Sequence, residues 1–105
     1  MKIDRLHRQA GHATTLLKVM ANESRLRILC FLVEGEKSVT ALEQGVGLRQ
    51  SAISQHLAIM RRERIVKTRR EAQQIFYKLA SPEARVIMAA LYQAFCARKP
   101  GKNEI

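Results

Sequence analysis

The apolar residues of this chain keep a helical spacing along most of its length and change to a strand-like spacing only once. The helical spacing begins with residues that follow one another at steps of four and three: Leu6, Ala10, Ala13, Leu17 and Met20. β-branched and aromatic residues then mark two segments, 65–70 and 74–79, on either side of Glu71-Ala72-Gln73. Short β-rich segments joined in this way are typical of a hairpin. The pattern therefore predicts a mainly α protein with one β-hairpin.

Capping residues divide the helical part before the hairpin. Asn22 is a favourable N-cap for a second helix, which Gly35 ends. The run Thr40-Ala41-Leu42-Glu43 has the spacing of a capping box, in which a hydroxyl and a carboxylate satisfy amides at a helix start. This run predicts a short third helix that ends near residues 45–47, where two of the three residues are glycine.

A fourth helix is predicted after Leu48, directly before the hairpin. The fifth begins at Ser81-Pro82-Glu83, an N-cap followed by proline at the first helical position, and runs to about Arg98. A short helix, a glycine-containing turn, a second helix with polar residues outside and a basic hairpin form a winged helix-turn-helix. We expect this fold, with the order helix, helix, helix, helix, strand, strand, helix.

Size and charge bound the kind of partner. A chain of 105 residues predicts a single domain over 1–105, with residues 99–105 as a flexible tail. Lys and Arg number 19 against 9 Asp and Glu, so the formal net charge is +10, which favours a polyanion such as nucleic acid. The longest apolar run, residues 28–33, is far shorter than the roughly 20 residues of a membrane span. No secretory signal is evident at the start, so we expect a cytoplasmic protein without a membrane partner.

The fourth helix carries the residues expected to contact bases in double-stranded DNA. Its outward positions are Gln50, Ser51, Ser54 and Gln55, with His56 alongside. Glutamine can pair with adenine in bidentate fashion, and serine can donate or accept a hydrogen bond. For His56, a structural hydrogen bond within the protein is the alternative to a base contact.

Six positive charges follow within ten residues, and their positions suit phosphate contacts. They are Arg61, Arg62, Arg64, Lys67, Arg69 and Arg70. A basic run by itself is often only a solvated face, but its place directly after a helix-turn-helix favours the DNA backbone as its partner. A cationic protein without sequence specificity is the competing hypothesis, and it predicts equal affinity for random and cognate duplexes.

The last helix is apolar on two sides. One stripe consists of Ile87, Ala90, Leu91, Ala94 and Phe95. The other consists of Met88, Tyr92 and Cys96. Because one core needs one stripe, the second indicates a homodimer packed through the first and last helices. The alternative is a monomer with a thick core.

Three segments of the sequence carry a resemblance to a known family. They are residues 20–30 (Met-Ala-Asn-Glu-Ser-Arg-Leu-Arg-Ile-Leu-Cys), residues 50–57 (Gln-Ser-Ala-Ile-Ser-Gln-His-Leu) and residues 70–77 (Arg-Glu-Ala-Gln-Gln-Ile-Phe-Tyr). Together they resemble the ArsR/SmtB family of bacterial repressors. The resemblance implies a dimeric winged helix that occupies an inverted-repeat operator and leaves it when an inducer binds. It also implies wing positions at Arg69 and Arg70, and it marks Arg49 as a departure from the family's usual serine or threonine N-cap.

Two cysteines, Cys30 and Cys96, are either space-filling residues or reactive thiols. Their placement is similar to the BigR, SqrR and HlyU branch of the family, which implies a dithiol that responds to persulfides, other reactive sulfur species or oxidants. Arg27 and Arg98 are nearby positive charges that could activate them. A bridge between the thiols, either direct or through extra sulfur atoms, would then lower operator affinity.

Other functions lack their residues in this sequence. The resemblance implies metal sites on the third or last helix, but 38–47 contains no Cys or His and 83–98 contains no His or Asp. A metal-responsive or ligand-independent regulator with structural cysteines is kept as the alternative. No Cys-x-x-Cys motif, glycine-rich phosphate loop or nucleophile with its base supports a dithiol enzyme. We therefore expect neither enzymatic activity nor a cofactor or metal.

Overall fold

A computed structural model describes residues 1–97 of the chain. Its helices are α1 (Ile3–Arg8), α2 (Ala10–Met20), α3 (Glu23–Glu34), α4 (Val39–Val46), α5 (Gln50–Arg62) and α6 (Pro82–Phe95). Its strands are β1 (Lys37–Ser38), β2 (Val66–Glu71) and β3 (Gln74–Leu79). The expectation of a mainly α protein with a β-hairpin wing is confirmed. The tail predicted over 99–105 lies outside the described residues.

The core forms where α3 meets its neighbours, since α3 packs against α2, α4, α5, α6 and β3. Its fully buried side chains come from α3, α4, α5 and the start of the hairpin: Ile28, Leu29, Leu32, Leu42, Ile53, Leu57, Met60, Ile65 and Val66. Asn22 caps α3 as predicted, because its side chain accepts a hydrogen bond from the Arg25 amide at 3.0 Å. The apolar spacing of the sequence thus correctly identified the central helix.

The first predicted helix is divided into two at Gln9. This residue has φ −96° and ψ 5°, and its amide donates to the carbonyls of Arg5 and Leu6. No residue of α1 is buried, so tertiary packing does not hold it in line with α2. Short helices depend on tertiary packing for their stability, and apolar spacing does not show whether that packing exists. The spacing alone therefore did not reveal the break.

The third predicted helix starts before the proposed capping box. Ser38 is the N-cap of α4, and its hydroxyl accepts a hydrogen bond from the Ala41 amide at 3.1 Å. Thr40 therefore lies in the first turn, and the capping-box interpretation was wrong. The helix start differs because the sequence did not predict strand β1. Ser38 of β1 pairs with Phe76 of β3, and this pairing holds Ser38 in an extended conformation. The sheet order is β1-β3-β2, and both pairs are antiparallel.

The turn between α4 and α5 depends on two glycines. Gly47 has φ 79° and ends α4 in the left-handed region, which glycine adopts without steric cost. At Gly45 a Cβ atom would lie 2.7 Å from the Phe31 ring, so the glycine allows α4 to approach α3 closely. The end of the third helix near these glycines was predicted correctly.

Two left-handed residues other than glycine shape the hairpin. Arg64 (φ 63°) ends α5 in a Schellman motif, in which the Ile65 amide donates to the Met60 carbonyl at 2.8 Å. Ala72 (φ 56°) is the first residue of the two-residue loop between Glu71 and Gln74, which pair with each other. The hairpin was predicted from its strands, while this tighter loop was not.

The last helix begins as predicted. The Ser81 hydroxyl accepts a hydrogen bond from the Ala84 amide at 3.0 Å, and Pro82 occupies the first helical position. The helix ends at Phe95, and the expected end near Arg98 falls outside the described residues. Within residues 1–97, no helix is both long and apolar enough to cross a bilayer.

Candidate functional site

Helix α5 has one buried side and one polar side. Ile53, Leu57 and Met60 are fully buried against the core. This anchoring directs the remaining positions outward, and four of the residues predicted to contact bases are exposed there: Gln50, Ser51, Ser54 and Gln55. These four residues, together with exposed Arg70 of β2, are called the reading surface below. Arg49 precedes α5 and is exposed, and its guanidinium, which has no acceptor, makes no side-chain capping bond there.

His56 differs from these four residues because it is only half exposed. Its Nδ1 lies 3.3 Å from an Nη atom of Arg25, which belongs to α3. Burial lowers the pKa of His56, and the positive charge of Arg25 lowers it further. This contact supports the structural role that the sequence left open for His56, and the base contact stays a prediction.

The two wing arginines have different surroundings. Arg69 donates from Nε to the Glu36 carboxylate at 2.9 Å, pairs with Glu71 and lies 4.7 Å above the Phe76 ring. The hydrogen bonds that Arg69 donates to Glu71 and then to Glu36 raise the pKa of Arg69. Arg70 is exposed on the neighbouring position of β2, where no such ion pair is recorded within residues 1–97. Arg69 thus fastens the wing to the loop before β1, and Arg70 is the wing arginine that remains open.

The rest of the basic cluster is exposed. Its members are Arg61 and Arg62 at the end of α5, Arg64 in the turn, and Lys67 in β2. They fall within residues 61–67, where the end of α5 meets the hairpin, and Glu63 is the one acidic residue of that stretch. The cluster therefore forms a positive field beside the reading surface.

The two cysteines lie on different helices but line one groove. Cys30 belongs to α3, Cys96 is the C-cap residue of α6, and both thiols are free and exposed. The groove between these helices has a volume of about 720 Å³, and most of its lining is apolar, including Leu26, Val33 and Met88. The term α3–α6 groove is used for it below.

The charges near the thiols differ from those expected. Arg27 forms an ion pair with Glu23 of its own helix, and it does not line the groove. Arg98 lies outside the described residues. Among residues 1–97, the positive side chain that lines the groove is Arg85 of α6, and Glu34 of α3 lines it too. Sequence proximity to Cys30 pointed to Arg27, whereas the packing of α6 on α3 brings Arg85 to the thiols' groove.

A third region exposes large apolar side chains on α1, α2 and α6. Their exposed fractions range from 49% to 78%, and they are Ile3, Leu6, Leu17, Val86, Tyr92 and Phe95. These six residues are called the open apolar surface below. A second groove of about 880 Å³ runs between α2 and α6 and is lined by Leu17 and Val86 among others. Scattered apolar residues are normal on a surface, but a group of this size on the first two helices and the last one indicates an interaction site.

The sequence did not identify the residues that hold predicted site residues in place through side-chain contacts. Arg25 and Glu36 were not singled out, because their partners, His56 and Arg69, lie 31 and 33 residues away in the chain. Only tertiary contacts bring these pairs together. Within residues 1–97, no group of three or more His, Cys, Asp or Glu side chains is arranged to hold a metal ion.

A core of helices, a helix-turn-helix formed by α4 and α5, and a β-hairpin directly after it define a winged helix-turn-helix protein. Residues 22–68 match the family model described as "Bacterial regulatory protein, arsR family". The chain is 45% identical over 96 residues to the transcriptional activator HlyU of Vibrio cholerae, covering 91% of this chain and 89% of that protein. The chain belongs to the ArsR family and is a transcriptional regulator, as its relatives are, and not an enzyme.

Solved structures agree with this assignment. The crystal structure of the transcriptional repressor BigR from Xylella fastidiosa matches with a TM-score of 0.88 and 42% identity, covering 93% of this chain and 100% of that one. The homodimeric winged helix-turn-helix DNA-binding domain Mb0332 from Mycobacterium bovis matches with a TM-score of 0.75 and 26% identity, covering 87% and 84% of the two chains. The similarity therefore extends over the helices on both sides of the hairpin.

Proposed function

We propose that this chain is a homodimeric DNA-binding repressor whose affinity for an inverted-repeat operator falls when a persulfide or an oxidant modifies Cys30 and Cys96. One observation carries the sensing part of the proposal. Both thiols are exposed and line the same α3–α6 groove, although 66 residues separate them in the chain. Two thiols that share a groove can react with one molecule in sequence, which a pair of unrelated space-filling cysteines cannot do.

DNA binding is assigned to the reading surface. The major groove admits a helix of the size of α5, and the side chains near its N-terminus then approach base edges. Gln50, Ser51, Ser54 and Gln55 occupy this part of α5 and are exposed. Arg70 and the basic cluster would contact phosphates on either side. BigR, which is described as a transcriptional repressor, is the relative on which the direction of regulation rests.

Dimerisation is assigned to the open apolar surface. The radius of gyration of the described chain is 15.5 Å, whereas a compact chain of this length has about 13 Å. An extended shape with exposed Leu17, Val86 and Phe95 is what one half of a two-fold assembly presents. The homodimeric state of the Mycobacterium bovis domain supports the same arrangement for this chain.

The thiol reaction has a balanced form. With an organic persulfide, R–S–SH, the two thiols lose their hydrogens and join as a disulfide, while the persulfide is reduced to R–SH and H₂S. With hydrogen peroxide, the same disulfide forms and the peroxide is reduced to two waters. A bridge would tie the end of α6 to α3, the helix that packs against α5. Because α6 also belongs to the open apolar surface, the bridge would alter how the two reading surfaces of a dimer are spaced.

The test combines mass analysis with operator binding. Reduced wild-type protein is treated separately with an organic persulfide, hydrogen peroxide and diamide, and each product is examined by intact mass spectrometry and by fluorescence anisotropy on an operator duplex. We expect a cysteine linkage and release from the operator in the same samples. Cys30→Ser and Cys96→Ser should bind the operator when reduced and should stay bound after treatment. A linkage that leaves operator affinity unchanged would contradict the thiol switch.

DNA specificity needs its own control. A random duplex of equal length at matched salt should bind more weakly than the operator, and affinity for both should fall steeply as salt rises. Equal affinity for the two duplexes would contradict sequence-specific regulation and favour a non-specific cationic protein.

A further inference from the structure

Arg25 lies where three helices meet. It is the third residue of α3, and its Nε donates a hydrogen bond to the Val19 carbonyl at 2.6 Å. Val19 is the penultimate residue of α2, so its carbonyl is among those left without a partner by the end of that helix. An Nη atom of the same guanidinium lies 3.3 Å from Nδ1 of His56, in the middle of α5. One side chain therefore joins the end of α2, the start of α3 and the DNA-reading helix.

The contact with His56 defines which nitrogen carries the imidazole proton. A guanidinium only donates hydrogen bonds, so Nδ1 must accept and the proton must reside on Nε2. The bond therefore exists only while His56 is neutral. Burial and the charge of Arg25 both lower the pKa of His56, which agrees with a neutral ring. The neighbours of His56 one turn away on α5 carry no charge: Ala52, Ile53, Ile59 and Met60.

We propose that Arg25 is a positioning residue for DNA reading: it holds α5 at a fixed angle to α2 and α3 through neutral His56, without itself contacting DNA. This inference rests on the proposed function, since it assumes that α5 reads the operator. It gives His56 a role through Arg25 in place of a direct base contact. Arg25 belongs to α3, the helix that also carries Cys30, and it contacts α2, which contributes to the open apolar surface. The same side chain therefore connects both of these helices to α5.

A double-mutant cycle tests the pair. Arg25→Gln and His56→Phe each remove one partner, and we expect each to weaken operator binding by about tenfold. The double variant should bind no more weakly than the weaker single variant, because both changes break the same contact. His56→Asn keeps an acceptor near the position of Nδ1 and should retain most of the wild-type affinity. Additive losses in the double variant would overturn the proposal.

The pH dependence of binding separates positioning from direct contact. Protonation of His56 removes the acceptor and places a second positive charge beside Arg25, so wild-type operator affinity should fall as the pH is lowered below 6.5, the ordinary pKa from which burial and Arg25 depress that of His56. A His56 that touched DNA would instead bind more tightly when protonated. His56→Asn should lack the decrease, and this matched variant corrects for His7 and His12, the other two histidines of the chain. An increase in wild-type affinity at low pH would overturn the proposal.

A spectroscopic measurement on unmodified protein does not depend on any variant folding. Long-range ¹H–¹⁵N correlation spectra should report a neutral His56 ring with its proton on Nε2. A proton on Nδ1 would exclude the hydrogen bond from Arg25. If reduced wild-type protein bound no operator at all, the proposed function itself would fail, whereas operator binding that is insensitive to Arg25→Gln would remove only the positioning role.

Discussion

Helices α5 and α6 are of similar length, yet they leave opposite kinds of residue unpacked. On α5 the apolar residues Ile53, Leu57 and Met60 are completely buried, and the exposed side is polar. On α6 only Ala84 and Met88 are buried, while Val86 and Phe95 are 68% and 78% exposed. The polar reading surface therefore needs no second chain to shield it from water, whereas the open apolar surface does.

This difference indicates two kinds of partner. A polar surface beside a positive cluster suits a hydrated polyanion, because its hydrogen-bonding groups remain satisfied by water until a base or phosphate replaces it. An apolar surface gains free energy only by leaving water, which requires another apolar surface. The α3–α6 groove, which Cys30 and Cys96 line, shares Tyr92 and Phe95 with the open apolar surface.

The largest expected effect comes from the core beneath the reading surface. Leu57→Ala should lower the free energy of unfolding by about 2–5 kcal/mol, because it leaves a cavity at a fully buried position. Chemical denaturation at a fixed protein concentration measures this loss. The control is Ser54→Ala on the exposed side of α5, which should change the free energy of unfolding by about 0.5 kcal/mol or less. Equal effects of the two variants would show that α5 is not anchored as described.

A substitution on the open apolar surface should weaken dimer association and leave the folding of each chain unaffected. Val86→Glu should weaken the dimer by about 2 kcal/mol or more, roughly thirtyfold in dissociation constant, because a carboxylate would have to leave water in the interface. Sedimentation equilibrium measures this change. Ala58→Glu is the matched control, since it introduces the same charge at an exposed position of α5. A dimer that tolerates Val86→Glu would place the interface elsewhere.

A substitution on the reading surface should change how well the protein discriminates between DNA sequences. Gln55→Ala should reduce the preference for the cognate base pair at one operator position by about 1–3 kcal/mol, with little change in affinity for random DNA. Competition binding with operators altered at single base pairs measures it. Gln44→Ala, at an exposed position of α4, is the control and should leave the discrimination between operator base pairs unchanged. A uniform loss of affinity on every duplex would argue against base reading by Gln55.

The smallest effect separates the two wing arginines. Arg70→Gln should reduce the salt dependence of operator binding by about one phosphate contact. Arg69→Gln should leave that salt dependence nearly unchanged, because the Arg69 guanidinium is engaged by Glu36 and Glu71. Its effect should appear as a less ordered wing, seen as faster amide exchange in β2 and β3. Equal changes in salt dependence for both variants would contradict this division of roles.

The exposure of several candidate site residues could be predicted because the evidence for it lies in local sequence. The exposure of Gln50, Ser51, Ser54 and Gln55 follows from the helical repeat of the apolar positions beneath them. The different roles of Arg69 and Arg70 could not be predicted, since adjacent arginines in a strand look alike until Glu36 is placed beside one of them. The capping of α4 by Ser38 was missed for a similar reason, because it depends on the pairing of β1 with β3.

The sequence by itself determined most of the helices, the hairpin and the polar side of α5, because residue spacing decides which side chains share a face; it did not reveal the break at Gln9. Only the tertiary structure decided that Cys30 and Cys96 share a groove, that Arg25 joins α2 to α5, and that Arg69 is held while Arg70 is open. Each of these contacts joins residues on different elements. Local preference carries no information about such pairs, since they are brought together only when the apolar faces of separate helices and strands pack into one core.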